Sequence, residues 1–203
     1  HVSMGKHEAI VPTFDPAGTT SFADYQKALA AAGFGVVEDD VYDATCPQGI
    51  VSAIDQTAGQ KIDYGKSVTV TVSKGPEPIP IVYYTGKNGA DAQAALAAAG
   101  FNVTVTQDYS DSVPAGAVIS QSRTSGTGVK GDSITLDVSK GQQLFAVPDV
   151  RGKKTDVAKQ LLAAQGFKWS VLAAPFGPGD VYDQSPEPGT MKPKGTTVTL
   201  YVV

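Results

Sequence analysis

Ala31-Ala32-Gly33-Phe34 recurs as Ala98-Ala99-Gly100-Phe101 and, with one substitution, as Ala164-Gln165-Gly166-Phe167. The glycines of this motif are 67 and then 66 residues apart along the chain. A leucine stands four residues before each glycine, at Leu29, Leu96 and Leu162. An apolar periodic segment that ends in glycine is typical of a helix with a left-handed C′ residue. The motif therefore predicts three helices, one in each copy of a repeated unit.

Two further landmarks keep the same order in every copy. The first is a glutamine in a polar turn, as in Asp55-Gln56-Thr57, Ser120-Gln121-Ser122 and Asp183-Gln184-Ser185. The second is Gly-x-Ser/Thr before an alternating segment, as in Gly65-Lys66-Ser67, Gly131-Asp132-Ser133 and Gly195-Thr196-Thr197. Landmarks in constant order over three copies indicate an internal repeat, which decides the architecture of the whole chain.

The sequence between the landmarks predicts how each unit is built. Val68, Val70 and Val72 alternate with threonines after the last landmark of the first copy, which predicts a strand with one buried face. Each unit is thus expected to contain an approach strand, one helix and three short strands. We expect an α+β fold, an elongated linear array of three small modules, each one helix packed on a short three-stranded β-sheet. The predicted divisions are 1–9 for an added or flexible start, 10–75 for a divergent first repeat, 79–141 for the second repeat and 145–203 for the third.

Apolar residues at helical spacing define the predicted buried face of two of these helices. In the first copy they are Phe22, Tyr25, Leu29 and Ala32. In the third copy they are Val157, Ala158, Leu161 and Leu162. We expect each apolar stripe to face the sheet of its own module.

Composition and charge exclude several classes of function. The 203 residues carry a net charge of −4, so bulk attraction to nucleic acid is not expected. The only histidines, His1 and His7, precede the first repeat, so the repeats hold no Ser-His-Asp or Cys-His pair. The single cysteine, Cys46, has no partner for an internal disulfide. We therefore expect a non-catalytic chain without a metal or cofactor.

Two motifs suggest ligand chemistry only at first sight. Residues 126–131 match Gly-x-Gly-x-x-Gly, but the sequence that follows predicts a strand, whereas a phosphate loop must open a helix. The acidic run Glu38-Asp39-Asp40 with Asp43 lacks the spacing and the glycine of a calcium loop. A turn and a solvated surface are the expected structures.

The third copy carries a resemblance to a known family. Val147-Pro148-Asp149-Val150-Arg151-Gly152 precedes its helix, and Gln184-Ser185-Pro186-Glu187-Pro188-Gly189-Thr190 follows it. Together with the helix and Val198-Thr199-Leu200, this pattern resembles the PASTA repeat of penicillin-binding proteins and of bacterial membrane-bound Ser/Thr kinases. The resemblance extends from about residue 10 to residue 203, and three copies in a row are more similar to the kinase arrangement.

The resemblance implies a function for the chain. It would be the extracellular sensor region of a Ser/Thr protein kinase, at the outer face of the cell membrane, with the membrane anchor upstream. Its ligands would be peptidoglycan fragments (muropeptides) or wall precursors, with weak beta-lactam binding and homodimerisation through the parent kinase as further implied properties. Two alternatives remain, a rigid spacer without a ligand and the C-terminal repeats of a penicillin-binding protein.

The third repeat is the candidate ligand-binding module on the basis of charge. Residues 142–203 carry a net charge of +2, whereas residues 10–76 carry −4. Arg151, Lys153 and Lys154 cluster before a predicted helix N-terminus, which favours the carboxylates of a wall peptide. Trp169, the only tryptophan, offers a flat face to a sugar. The alternative is a solvated basic loop and a tryptophan that completes a small core, and the recurring glutamines are expected to be a requirement of the fold.

Overall fold

A computed structural model of the chain describes residues 7–15, 18–173 and 179–203. The first module contains one helix and five strands: β1 (Glu8–Ile10), α1 (Phe22–Ala31), β2 (Gly35–Val41), β3 (Val51–Ile54), β4 (Lys61–Asp63) and β5 (Ser67–Ser73). The second module repeats this order: β6 (Ile79–Pro80), α2 (Gly89–Ala98), β7 (Asn102–Asp108), β8 (Val118–Gln121), β9 (Thr127–Gly128) and β10 (Ser133–Ser139). So does the third: β11 (Leu144–Ala146), α3 (Thr155–Ala164), β12 (Lys168–Ala173), β13 (Val181–Ser185), β14 (Met191–Pro193) and β15 (Thr197–Val202).

Each module contains a three-stranded sheet of the same topology. The strand orders are β2-β5-β3, β7-β10-β8 and β12-β15-β13. The strand after the helix runs parallel to the central strand, and the strand on the other side runs antiparallel to it. The expectation of an α+β chain of three modules, each with one helix and a three-stranded sheet, is confirmed.

A second, smaller sheet was not expected from the sequence. The approach strand of each module pairs antiparallel with a strand of two or three residues, in the pairs β1-β4, β6-β9 and β11-β14. Strands this short contain too few residues to show an alternating pattern, so the sequence pattern could not predict them. The Gly-x-Gly match at 126–131 includes β9 and precedes β10, not a helix, as expected.

Helix α1 buries the predicted stripe, whereas α3 buries a narrower one. In α1, Tyr25 and Leu29 are buried and Phe22 and Ala32 are partly buried, as expected. In α3 only Ala158 and Leu162 are buried, whereas Val157 is 46% exposed and Leu161 is 37% exposed. Val157 and Leu161 each stand one position before a buried residue, about 100° around the helix, so they lie at the side of the contact with the sheet. The prediction that Val157 and Leu161 face the core is wrong.

The glycine that ends each helix has the conformation that the motif requires. Gly33, Gly100 and Gly166 have φ of 84°, 99° and 82°, in the left-handed region that favours glycine. Phe34 and Phe167, which follow two of them, belong to the buried clusters of the first and third modules. The described helices include none that is long and apolar enough to cross a membrane.

Candidate functional site

A buried glutamine fastens the approach segment of the second and third modules to the sheet. In the third module Gln184 Oε1 accepts from the Val150 amide at 2.8 Å, and Gln184 Nε2 donates to the carbonyls of Pro148 at 3.0 Å and Pro186 at 3.3 Å. In the second module Gln121 makes the same three bonds, with Tyr84, Val82 and Arg123. Both amides are almost fully buried, so these two glutamines have a structural role.

The first module has no glutamine at this position. The prediction that Gln56 is equivalent to Gln121 and Gln184 is therefore wrong. Gln121 pairs with Leu136 and Gln184 with Leu200, whereas the residue paired with the equivalent Val70 is Ile54. Gln56 lies two residues further on, in the turn. Ile54 packs against the apolar core of the first module instead.

Tyr25 replaces the glutamine in the first module. Its hydroxyl donates to the carbonyl of Pro12 at 2.8 Å, and Pro12 stands where Pro148 stands in the third module. The ring of Phe14 meets the ring of Tyr25 edge-on, with centroids 5.7 Å apart. Burial raises the pKa of Tyr25 above its ordinary value. The equivalent carbonyl therefore accepts a hydrogen bond from a helix residue in the first module and from a sheet residue in the other two.

Arg151 lies in the turn before α3, but its guanidinium already holds a carboxylate. Nε and an Nη atom of Arg151 lie 3.0 Å from the two oxygens of Asp149, which is a bidentate contact. These hydrogen bonds hold the pKa of Asp149 below its ordinary value and raise the pKa of Arg151. Both side chains are exposed, so a ligand carboxylate can reach Arg151 by competing with Asp149.

Lys154 occupies the N-cap position of α3, where a small polar residue is normal. Ser21 and Asn88 cap α1 and α2 with side-chain oxygens that accept backbone N–H groups of the first turn. Lys154 makes no side-chain cap bond, and its Nζ instead lies 2.9 Å from Oδ1 of Asp180. A cation here opposes the positive end of the helix dipole, which the Asp180 carboxylate offsets.

Lys153 completes the basic turn, which we define as Arg151, Lys153 and Lys154. The carbonyl of Lys153 accepts from the Val181 amide at 2.9 Å, so the turn lies along the outer edge of β13. No ion pair is found for Lys153 in the part of the chain that the structure describes. Counting Asp149 and Asp180 against the three cations leaves a formal charge of +1 at the turn.

Trp169 does not lie beside the basic turn. It is the second residue of β12, which starts after the C-terminus of α3, whereas the basic turn precedes the N-terminus. A helix of ten residues is about 15 Å long, so the two features are separated by roughly that distance. Trp169 is the register partner of the buried Val198, but 42% of its own surface is exposed. The structure thus brings three of the four predicted site residues together.

The described residues give no support for a metal site. They contain no group of three or more His, Cys, Asp or Glu side chains that could hold a metal ion. Glu38, Asp39 and Asp40 lie exposed along β2, as expected for a solvated surface. Cys46 is a half-buried free thiol.

The fold and the site together define a class of protein. The chain is a run of small α+β modules with a shared scaffold and no assembled catalytic group among the described residues. The PASTA domain family model matches residues 18–74, 83–140 and 145–203. The chain belongs to the PASTA family, and its expected non-catalytic character is confirmed by this match.

Curated relatives of this chain include Ser/Thr protein kinases. The probable serine/threonine-protein kinase pknA2 of Bifidobacterium longum is 35% identical over 186 residues, which are 87% of this chain and 25% of that protein. The probable serine/threonine-protein kinase PknB of Corynebacterium glutamicum is 35% identical over 179 residues, which are 86% of this chain and 28% of that protein. The chain thus spans about a quarter of the length of these curated relatives.

Solved structures show the same architecture. The entire extracellular region of the Ser/Thr kinase PrkC from Staphylococcus aureus matches with a TM-score of 0.72 and 25% identity, over 95% of this chain and 69% of that one. The three-PASTA-domain structure of a Ser/Thr kinase from the same organism matches with a TM-score of 0.69 and 26% identity, over 97% and 98% of the two chains. The chain is therefore similar to PASTA regions of Ser/Thr kinases along nearly its full length.

Proposed function

We propose that this chain is the extracellular sensor region of a bacterial transmembrane Ser/Thr protein kinase, and that it binds peptidoglycan fragments or wall precursors and so regulates kinase dimerisation. The similarity to the extracellular region of PrkC supports an extracellular location for this chain. The kinase relatives support a Ser/Thr kinase as the parent protein. The relatives named above favour a kinase over a penicillin-binding protein. Weak beta-lactam binding remains a prediction from the resemblance.

The observation that carries the proposal is the departure of the third module from the capping rule. Two modules cap their helices with Ser21 and Asn88, whereas the third places a lysine there and two more cations within the preceding three residues. Local rules that favour stability are broken mainly where a protein has a functional site. A cluster of cations at a helix N-terminus fits the carboxylates of a peptide.

The contacts of Arg151 and Asp149 define how such a carboxylate would bind. A ligand that displaces Asp149 gains a bidentate contact of the same kind, so the net affinity depends on how readily Asp149 leaves. Lys153 adds charge without an ion pair to break among the described residues. Trp169 remains in the proposal only for fragments long enough to span the length of α3.

The test is an NMR titration of the chain with purified muropeptides of defined stem peptide. We expect saturable shifts at the basic turn, weakened by Arg151→Ala and strengthened by Asp149→Asn, which removes the competing charge. Lys87→Ala serves as the matched control, because Lys87 stands at the position of Lys153 in the second module. Absence of shifts at millimolar ligand would reject the sensor proposal in favour of a spacer.

The spacer alternative has an observation of its own. The first two modules end in the same turn, Ser73-Lys74-Gly75 and Ser139-Lys140-Gly141, and Ser Oγ donates there to the carbonyl of Cys46 at 2.6 Å or of Val113 at 2.7 Å. The glycine amide donates back to Ser Oγ at 2.9 Å in both copies. Hydrogen bonds that fix the last turn of a module in the same way in two copies are what a rigid spacer would require.

A further inference from the structure

The open face of the third sheet carries a cluster of two tyrosines and one leucine. Leu172 of β12, Tyr182 of β13 and Tyr201 of β15 form it, and we call these three residues the platform. Leu172 is 57% exposed and Tyr182 is 59% exposed. The rings of Tyr182 and Tyr201 lie with centroids 6.2 Å apart at an angle of 53°. Large exposed apolar groups that cluster in this way mark interaction sites more often than single exposed residues do.

Strand register places the platform on the face of the sheet opposite to α3. Val198, Leu200 and Val202 of β15 are buried, so the alternating residue Tyr201 points to the other side. Leu172 is the register partner of Tyr201 and shares its face. Tyr182 is the extra residue of a β-bulge, a device that re-aims a side chain.

The other two modules show that the fold does not require this cluster. The same bulge and register place Asp39, Ser52 and Thr71 at the three positions in the first module. In the second module the residues are Thr106, Ile119 and Asp137. Two sheets of identical topology therefore form with no aromatic ring at these positions, so the fold does not require the rings of the third module.

Polar groups surround the platform on the same face. Ser170 Oγ and Thr199 Oγ1 lie 3.1 Å apart next to it, and the exposed Asp183 is the register partner of Tyr201. The basic turn is adjacent, because the amide of Gly152 donates to the carbonyl of Val181 at 2.7 Å. Aromatic rings flanked by hydroxyls and one carboxylate match the alternating C–H faces and hydroxyl edges of a sugar ring.

We propose that the platform binds an uncharged sugar ring of a glycan, stacked on Tyr182 and Tyr201, with Asp183 accepting from a sugar hydroxyl. None of the three platform side chains carries a charge, so the surface suits a neutral ring. The inference rests on the proposed function in that the basic turn beside it would then hold the carboxylate of a peptide attached to the glycan. The two sites use different chemistry and are separable by experiment.

The test titrates the whole chain with the neutral tetramer of N-acetylglucosamine, which has no carboxylate. We expect saturable NMR shifts at Leu172, Tyr182 and Tyr201. Tyr182→Ser and Tyr201→Thr introduce the residues that the first module has at these positions. Each should raise the dissociation constant for the tetramer about tenfold. Tyr109→Ser is the matched control, because Tyr109 is a 56% exposed tyrosine of the second module.

The outcomes distinguish the platform from the basic turn. Arg151→Ala should leave tetramer binding unchanged even where it abolishes muropeptide binding. Loss of tetramer binding in Tyr109→Ser, or no shifts on the platform at millimolar tetramer, would overturn the inference without touching the basic turn. A sedimentation coefficient that rises with protein concentration in the wild-type chain, but not in Tyr182→Ser, would show that the platform binds a second copy of the chain instead.

Discussion

At the scale of single residues, one backbone carbonyl is held by different chemistry in different modules. A glutamine amide has both donors and an acceptor, so Gln184 can serve the Val150 amide and two carbonyls at once. The phenol of Tyr25 donates only to Pro12, and packing against Phe14 supplies the rest of the attachment. A hydrogen bond to the backbone of the segment before the helix is thus common to all three modules, but the residue that donates it differs between them.

Replacing the buried glutamine should destabilise its own module. Gln184→Ala leaves the Val150 amide and two carbonyls without their partner, and we expect the free energy of unfolding of the third module to fall by about 2 to 3 kcal/mol. Urea unfolding followed through the NMR signals of that module measures the change. Gln56→Ala is the control, since Gln56 lies in a turn of the first module, and an equal loss there would contradict the structural role assigned to Gln184.

The raised pKa of Tyr25 predicts a pH dependence for the first module. The unfolded chain deprotonates near pH 10, the ordinary pKa of tyrosine, whereas the folded module keeps the proton to a higher pH. Stability from this group is therefore complete below about pH 10 and is lost as the pH rises toward the folded pKa. Tyr25→Phe should lower stability by about 1 kcal/mol at pH 7 and flatten this decline. An unchanged slope above pH 10 would show that another group causes it.

At the scale of elements, the sequence predicted long and periodic features and missed the short ones. The glycine motif predicted three helix ends because a left-handed C′ residue leaves a specific signature. It could not show that Ile54 replaces the expected glutamine, because a two-residue shift in a polar turn leaves no mark. Within the site, the clustering of basic residues along the chain predicts the basic turn, whereas the distance between Trp169 and this turn depends on the length of α3.

The Lys154–Asp180 ion pair at the N-terminus of α3 can be introduced at the equivalent positions of α2. Asn88→Lys in the second module removes the cap of α2 and sets a cation at the positive helix end, and we expect a loss of about 1 to 2 kcal/mol. Ala117, the bridge partner of Asn88, stands where Asp180 pairs with Lys154. The double variant Asn88→Lys, Ala117→Asp should recover part of the loss in thermal unfolding. No recovery would mean that Asp180 does not compensate Lys154.

At the scale of the whole molecule, charge is distributed unevenly over a repeated scaffold. The chain has a net charge of −4, yet residues 142–203 carry +2 and residues 10–76 carry −4. The three modules share helix, sheet and bulge, so the differences between them lie on the surface. The basic turn and the platform both belong to the third module, where one ligand with a charged and an uncharged part would find both.

Salt should separate these two contributions in the intact chain. Exposed charges are screened over about 10 Å at 0.1 M salt and about 3 Å at 1 M, so muropeptide binding through Arg151 and Lys153 should weaken several-fold over this range. Binding of the neutral sugar tetramer should change little, because the platform carries no charge. Calorimetric titrations of both ligands at the two salt concentrations give the comparison. If muropeptide binding is equally insensitive to salt, the carboxylate contact is not the source of its affinity, and the stacked rings must supply it.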